Sequence, residues 1–168
     1  MTSILTSKYL INKRDELSKE ITKCWNIIKA ENVVKKEFKR NYNIETLYEK
    51  IQMMAEERIL IKLYLQCINM GITKLSDLPE NNNYITIFTL REKKEILFHL
   101  GKIPTLDIKI KRKEGKKNMN HTEIFTSSFI AAQIKQLTIA ANELEKKLDE
   151  FNNEAYLDIS SPNKELAA

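Results

Sequence analysis

Apolar residues return at alternating intervals of three and four along three separate stretches of this chain. That period leaves few options, because each stretch can bury its stripe only as a helix lying along another helix. The cleanest run starts after Asn43, a good N-cap, and carries Ile44, Leu47, Ile51, Met54, Arg58, Ile61, Leu65 and Ile68 as far as a stop at Gly71. An earlier run aligns Leu10, Arg14, Leu17, Ile21, Cys24 and Ile28, which predicts a helix from about Lys8 into the late thirties. Trp25 and Ile27 sit beside that stripe and suggest a second apolar face. The last run follows Ser127 or Ser128 and aligns Ile130, Ile134, Leu137, Ala141, Leu144, Leu148, Phe151 and Ala155. At ~1.5 Å per residue each rod is roughly 40 Å long.

A shorter helix is predicted from a cap at Thr86 through Leu100, ended by Gly101 and Pro104. From Ile103 the period changes to two: Leu106, Ile108 and Ile110 alternate with Asp107, Lys109 and Lys111, and a second alternating run spans Asn120 to Thr126 after a turn at Gly115. The predicted fold is mainly α: an antiparallel helical bundle of three long heptad helices plus one shorter helix, with a small β-hairpin insertion at about 103–126. One domain covers 1–159, and 160–168 has the composition of a flexible tail.

The charge is unevenly placed. The chain carries a net charge of +5. The stretch "IKIKRKEGKKN" accounts for all of it, with Lys109, Lys111, Arg112, Lys113, Lys116 and Lys117 against the single acid Glu114. Such a run is a grip on nucleic acid, a clamp for a small phosphorylated ligand, or a solvated hairpin tip whose lysines discourage edge pairing. Stacking on bases calls for aromatic side chains, and none of Phe, Trp or Tyr occurs between Ile103 and Glu123. Nucleic acid is therefore expected to gain only weak, non-specific phosphate contacts, which leaves a small anionic ligand or none.

Little points to catalysis. The two histidines, His99 and His121, lack metal-ligand spacing, and Cys24 and Cys67 lack the pairing of a zinc site or a disulfide scaffold. Each of the three glycines stands alone, so there is no glycine-rich phosphate loop. No metal, no cofactor and no enzymatic activity is expected. The first residues reach charge before any apolar core of a signal peptide forms, and no apolar run approaches the ~18 residues of a membrane span. The expectation is a cytoplasmic protein with no membrane partner.

Arg14 and Arg58 interrupt the seams where leucine would pack better. A guanidinium in such a place needs a partner. Either it forms an interhelical salt bridge with acids such as Glu57 or Glu20, or it faces a ligand at a bundle or subunit junction. The candidate ligand-binding set is Arg14, Arg58, Lys94, Lys109, Lys111, Arg112 and His121.

The order of short motifs resembles that of the septicolysin-like family of small bacterial coiled-coil proteins. "RDELSKEI" from Arg14 is similar to that family's Arg-x-x-Leu-x-x-x-Ile opening, and Ile68-Asn69 to its Ile-Asn at the end of the second helix. "TIFTLREKKEIL" from Thr86 resembles its Thr-Leu-x-x-Leu helix start, followed by a basic-acidic pair at Lys94-Glu95. Thr122 to Ile124 and Leu148-Asp149, with Tyr156 seven residues beyond, complete the likeness. The chain departs from the pattern in having Tyr for Trp, Lys for Arg, and an unusually basic hairpin.

The resemblance implies an oligomeric helical assembly. Two functional expectations follow. One is a homo-oligomer holding a phosphate-bearing small molecule such as a nucleotide signal, by analogy with small basic helical phage proteins that sequester such signals. The other is a structural or scaffolding coiled-coil oligomer with no small ligand.

Overall fold

The structure is a computed structural model that describes residues 5–80, 82–106 and 120–155. Four helices form: α1 (Ser7–Glu31), α2 (Ile44–Asn69), α3 (Tyr84–Leu100) and α4 (Ser127–Glu154). Two short strands, β1 (Val33–Lys35) and β2 (His121–Glu123), and a single 3-10 turn at Leu75–Asp77 complete the described elements. The protein is mainly helical with a small two-stranded antiparallel element, as the apolar period requires.

Local chemistry sets the boundaries. Thr6, Asn43 and Thr126 each accept a hydrogen bond from the backbone N–H three residues on, so α1, α2 and α4 all begin at a side-chain cap. α2 ends where Gly71 adopts φ 73°. That glycine lets Gly71 N donate to Ile68 O at 3.0 Å and Ile72 N to Cys67 O at 2.9 Å, which satisfies two of the last carbonyls. α3 starts earlier than the expected cap at Thr86, because Asn82 Oδ1 accepts from Tyr84 N at 3.2 Å and Asn83 takes the cap position.

The contacts run in sequence order: α1 packs along α2, α2 against α3, and α3 against α4. Interhelical ion pairs fix the directions. Lys50 meets Glu20 while Lys13 meets Glu57, so α1 and α2 are antiparallel. As the central rod, α2 buries residues on more than one face, including Leu63 and Cys67 outside the expected stripe, whereas the expected seam residue Ile68 is exposed. The core joins α1 (Leu10, Leu17, Ile21, Cys24, Trp25, Ile28) to α2 (Ile44, Tyr48, Ile51, Met54, Ile61), Ile96 and Leu100 of α3, and Ile130 of α4. Trp25 is 0% exposed and is therefore core, not the interface residue its place beside the stripe suggested.

The first helix is shorter than expected, ending at Glu31 and not in the late thirties. Asn32 ends it. Its side chain is 0% exposed. Nδ2 donates to Pro104 O at 2.7 Å and to Phe125 O at 2.9 Å, while Oδ1 accepts from Phe125 N at 2.7 Å. The β-branched pair Val33 and Val34 then continues as β1, antiparallel to β2, with Val34 opposite Thr122. The strand expected after Asn120 thus forms, but its described partner is β1 and not the chain just before it. Arg40 secures the pairing by donating to the carbonyls of Glu31, Asn32 and Thr122 at 2.9, 3.1 and 2.9 Å. The expected first arm of the hairpin beyond Leu106, its basic tip and the 160–168 tail lie outside the described residues.

Replacing Asn32 with Leu strands the Phe125 N–H and the Pro104 carbonyl without partners. Each buried orphan costs about 1–3 kcal/mol, so Asn32→Leu is expected to lower unfolding free energy by about 3–5 kcal/mol. Urea denaturation followed by far-UV dichroism measures this, and an unchanged midpoint would remove the clamp from the stability account.

Candidate functional site

Of the candidate ligand residues that the structure describes, Arg58 is the most deeply placed, with a side chain 7% exposed. It projects from the middle of α2 toward α3, where Glu92 and Glu95 stand one turn apart on the same face. Arg58 Nε donates to Glu92 Oε1 at 2.9 Å, Nη2 bonds Glu92 Oε2 and Glu95 Oε2, and Nη1 reaches Ser18 Oγ on α1 at 3.1 Å. Lys62, one turn further along α2, donates to Glu92 Oε1 at 2.6 Å. Two cations of α2 and two carboxylates of α3 thus balance, and the Ser18 hydroxyl joins them from α1. Burial works against the charge on Arg58, but the contacts with Glu92 and Glu95 outweigh it and raise its pKa above the ordinary value.

This network is the interhelical salt bridge anticipated for Arg58, with different acids. Glu57 pairs with Lys13 and Glu20 with Lys50, both at the α1–α2 edge. Glu20 is held below the usual carboxylate pKa by its hydrogen bond and charge contact with Lys50. Glu92 was legible in principle, since a cation in an apolar stripe calls for an acid and Glu92 and Glu95 lie on one face of α3.

The other described candidates are placed apart from Arg58. Arg14 turns to its neighbour Asp15, with Nε and Nη2 donating to Oδ1 at 2.9 and 2.8 Å, and its side chain is 38% exposed. Only its backbone touches the network, through Ser18 Oγ donating to Arg14 O. Lys94 pairs with Glu145 on α4 at 2.6 Å with both side chains largely in solvent, an arrangement worth at most about 1 kcal/mol. His121 is in β2, half-buried, opposite Lys35. Lys109, Lys111 and Arg112 lie outside the described residues.

A second polar cluster was not singled out from the sequence. At the contact between the end of α1 and the end of α3, Lys29 Nζ lies 2.8 Å from His99 Nδ1. The His99 ring stacks on Trp25 with centroids 5.0 Å apart and planes 11° from parallel. Lys102, just past α3, sits over the Phe98 ring at 3.6 Å. Burial, then the charge on Lys29, holds His99 below the ordinary histidine pKa, with Glu95 opposing and Lys102 reinforcing. Burial and then Lys102 depress Lys29 as well. In sequence, Lys29, His99 and Lys102 look like three unremarkable surface residues, because only the parallel run of α1 beside α3 brings them together.

Both cysteines are buried and unpaired, and burial pushes the Cys24 thiol above its ordinary pKa. Among the described residues there is no His, Cys, Asp and Glu group able to hold a metal ion, and no helix long and apolar enough to cross a membrane. Two surface depressions stand out. A shallow groove of about 580 Å3 on α1 is lined by Lys19, Lys23, Asn26, Ile27 and Tyr42 among others. A deeper cleft of about 310 Å3 lies between Met70, Pro79, Tyr84, Ile87 and Phe151. Comparison with known proteins returns no match to any family model, characterised protein or solved structure.

Arg58→Leu leaves Glu92, 3% exposed, with only Lys62 for a partner, so a loss of about 3–5 kcal/mol is expected. Arg58→Leu combined with Glu92→Leu removes both charges and is expected to recover much of that loss. If the single and double variants unfold at the same denaturant concentration, the two residues are not coupled.

Stability should also depend on His99. Its folded pKa lies below the ordinary 6.5, so as pH falls past about 6.5 the unfolded chain binds the proton first and the native state loses stability, until pH passes the folded pKa and the loss is complete. Melting curves from pH 7.5 to 5 are expected to show Tm falling in the wild type and a flatter course in His99→Gln. Parallel slopes would assign the effect elsewhere.

Proposed function

We propose that the protein is a non-enzymatic, self-associating helical binding protein that holds an anionic, phosphate-bearing small molecule, best matched by a nucleotide signal, at the junctions between subunits. The observation that carries association is the seam of α4. Only Ile130 and Ala141 of that helix are buried, while Ile134, Leu137, Leu144, Leu148 and Phe151 remain half-buried and Ile139 is 52% exposed. A stripe that regular fits the burial a second subunit would complete. Ile85 and Ile87 on α3 are exposed as well, and Ile87 shares the 310 Å3 cleft with Phe151 of α4. The motif order shared with septicolysin-like proteins points the same way.

Support for the ligand comes from charge. The excess of the whole chain is concentrated in one stretch, Lys109 to Lys117, without aromatic neighbours, which suits phosphate better than bases. Analogy with nucleotide-sequestering phage proteins suggests the ligand class. The scaffold reading, assembly without a ligand, is favoured at Arg58, whose charge is already matched inside the chain.

Light scattering at micromolar concentration is expected to give a mass well above 19.7 kDa, and a monomer would overturn the association. Mass spectrometry of small molecules released by heating the purified protein is expected to find a phosphorylated compound. An assembly that releases none, and is not stabilised by nucleotides, belongs to the scaffold class.

A further inference from the structure

We infer that Lys29, His99 and Lys102 form an anion site for the phosphoryl group of a small ligand, with His99 taking up a proton from solvent as the anion binds. The inference rests on the reading above that the ligand is phosphate-bearing, and it places that ligand at residues outside the basic stretch. The first support is charge balance. Lys29 and Lys102 have no carboxylate partner among the described residues. The one acid whose charge reaches His99 is Glu95, and its carboxylate is already engaged by Arg58.

Geometry adds to this. Lys29 extends from α1 and His99 from α3, and their nitrogens meet at 2.8 Å. An ammonium has no acceptor, so His99 Nδ1 must be the lone-pair side of a neutral ring. That neutral state follows from burying the ring against Trp25 and Lys29, with the charge of Lys102 acting in the same direction. A phosphoryl group bridging Lys29 Nζ and Lys102 Nζ reverses the balance. Lys29 turns from Nδ1 to the anion, His99 gains a proton, and both donate to oxygen.

Trp25 holds the imidazole in place by stacking, so Lys29 and His99 are carried on two packed helices and Lys102 on the turn that follows α3. Phe98, 57% exposed beside Lys102, offers an apolar flank for the body of the ligand. The groups facing His99 are Lys29 from α1, and Glu95 and Lys102 from α3 and its end. Anion binding and protonation are therefore linked, and each strengthens the other.

The test is calorimetric titration of the full chain with inorganic phosphate, pyrophosphate and ADP at pH 7.5 and 6. It is run on the wild type, on Lys29→Gln with Lys102→Gln, on Lys102→Gln alone, and on Lys109, Lys111 and Arg112 all changed to Gln. Pyrophosphate and ADP are expected to bind the wild type about tenfold more tightly at the lower pH, the equivalent of one pKa unit. The Lys29 and Lys102 double variant is expected to lose about a hundredfold, roughly tenfold for each charge-assisted contact. Lys102→Gln alone changes an exposed residue and cannot be dismissed as misfolded. It is expected to lose about tenfold, and the imidazole signal of His99 by NMR is expected to titrate at higher pH when pyrophosphate is present. Similar affinities for pyrophosphate and ADP support recognition of the phosphoryl group itself, whereas binding of inorganic phosphate alone overturns the small-ligand assignment. If the Lys102 variants bind as wild type while the Lys109, Lys111 and Arg112 variant does not, this site is refuted and the phosphate-binding reading stands. If the wild type binds none of the three probes, both fail.

Discussion

The carboxamide of Asn32 is the point on which the arrangement of the helices depends. One side chain, excluded from water, holds the end of α1, the segment after α3 and the approach to α4 in fixed relation, because it bonds Pro104 and Phe125 across gaps of 72 and 93 residues. Backbone groups at these places have no ladder or helix to satisfy them. Without the carboxamide they would be buried orphans. With it, Phe125 is seated where its ring can pack on Tyr48 and Phe129, at centroid distances of 5.6 and 4.8 Å, and the aromatic end of the core closes over Trp25. The ladder of β1 and β2 and the three carbonyl contacts of Arg40 reinforce a junction that Asn32 defines.

Further along the bundle the polar groups divide into two kinds. Arg58, Lys62, Glu92 and Glu95 neutralise one another, and a set so complete has no call on a ligand. Its role is to fix how α2 and α3 register, since sliding either by a turn would leave a charge buried alone, while Ser18 ties α1 to the set. The Lys29, His99 and Lys102 group is positive and uncompensated among the described residues. It sits one turn beyond Glu95 on α3, so the two clusters are consecutive layers of the same interface with opposite outcomes.

The helices were legible in sequence because their period and caps are local properties. Asn43, Gly71 and Ser127 mark ends that the structure repeats to within a residue. Boundaries that depend on distant contacts were not legible. Nothing local ends α1 at Glu31; it stops because Asn32 is engaged by chain far away in sequence, and Val33 and Val34 find a strand partner near Thr122. The Arg58 network was half visible. The need for a partner followed from its place in an apolar stripe, but the identity of Glu92 depended on which helix lies across from α2. The Lys29, His99 and Lys102 group left no signal at all, because a convergence of three separate residues belongs to topology and not to pattern.

The partial burial of α4 bears on the order in which the chain becomes rigid. Its only extensive described helix neighbour is α3, and its second half offers few buried side chains to oppose fraying. An isolated helix of that length is marginal in water, so most of its persistence must come from packing. Backbone amides in its distal turns therefore open at a lower free energy than those of α2, which is covered on two sides. The first turns of α4, which carry Phe129 and Ile130 into the core, are therefore the part held firmly, and the distal rod settles only when its outer face is covered.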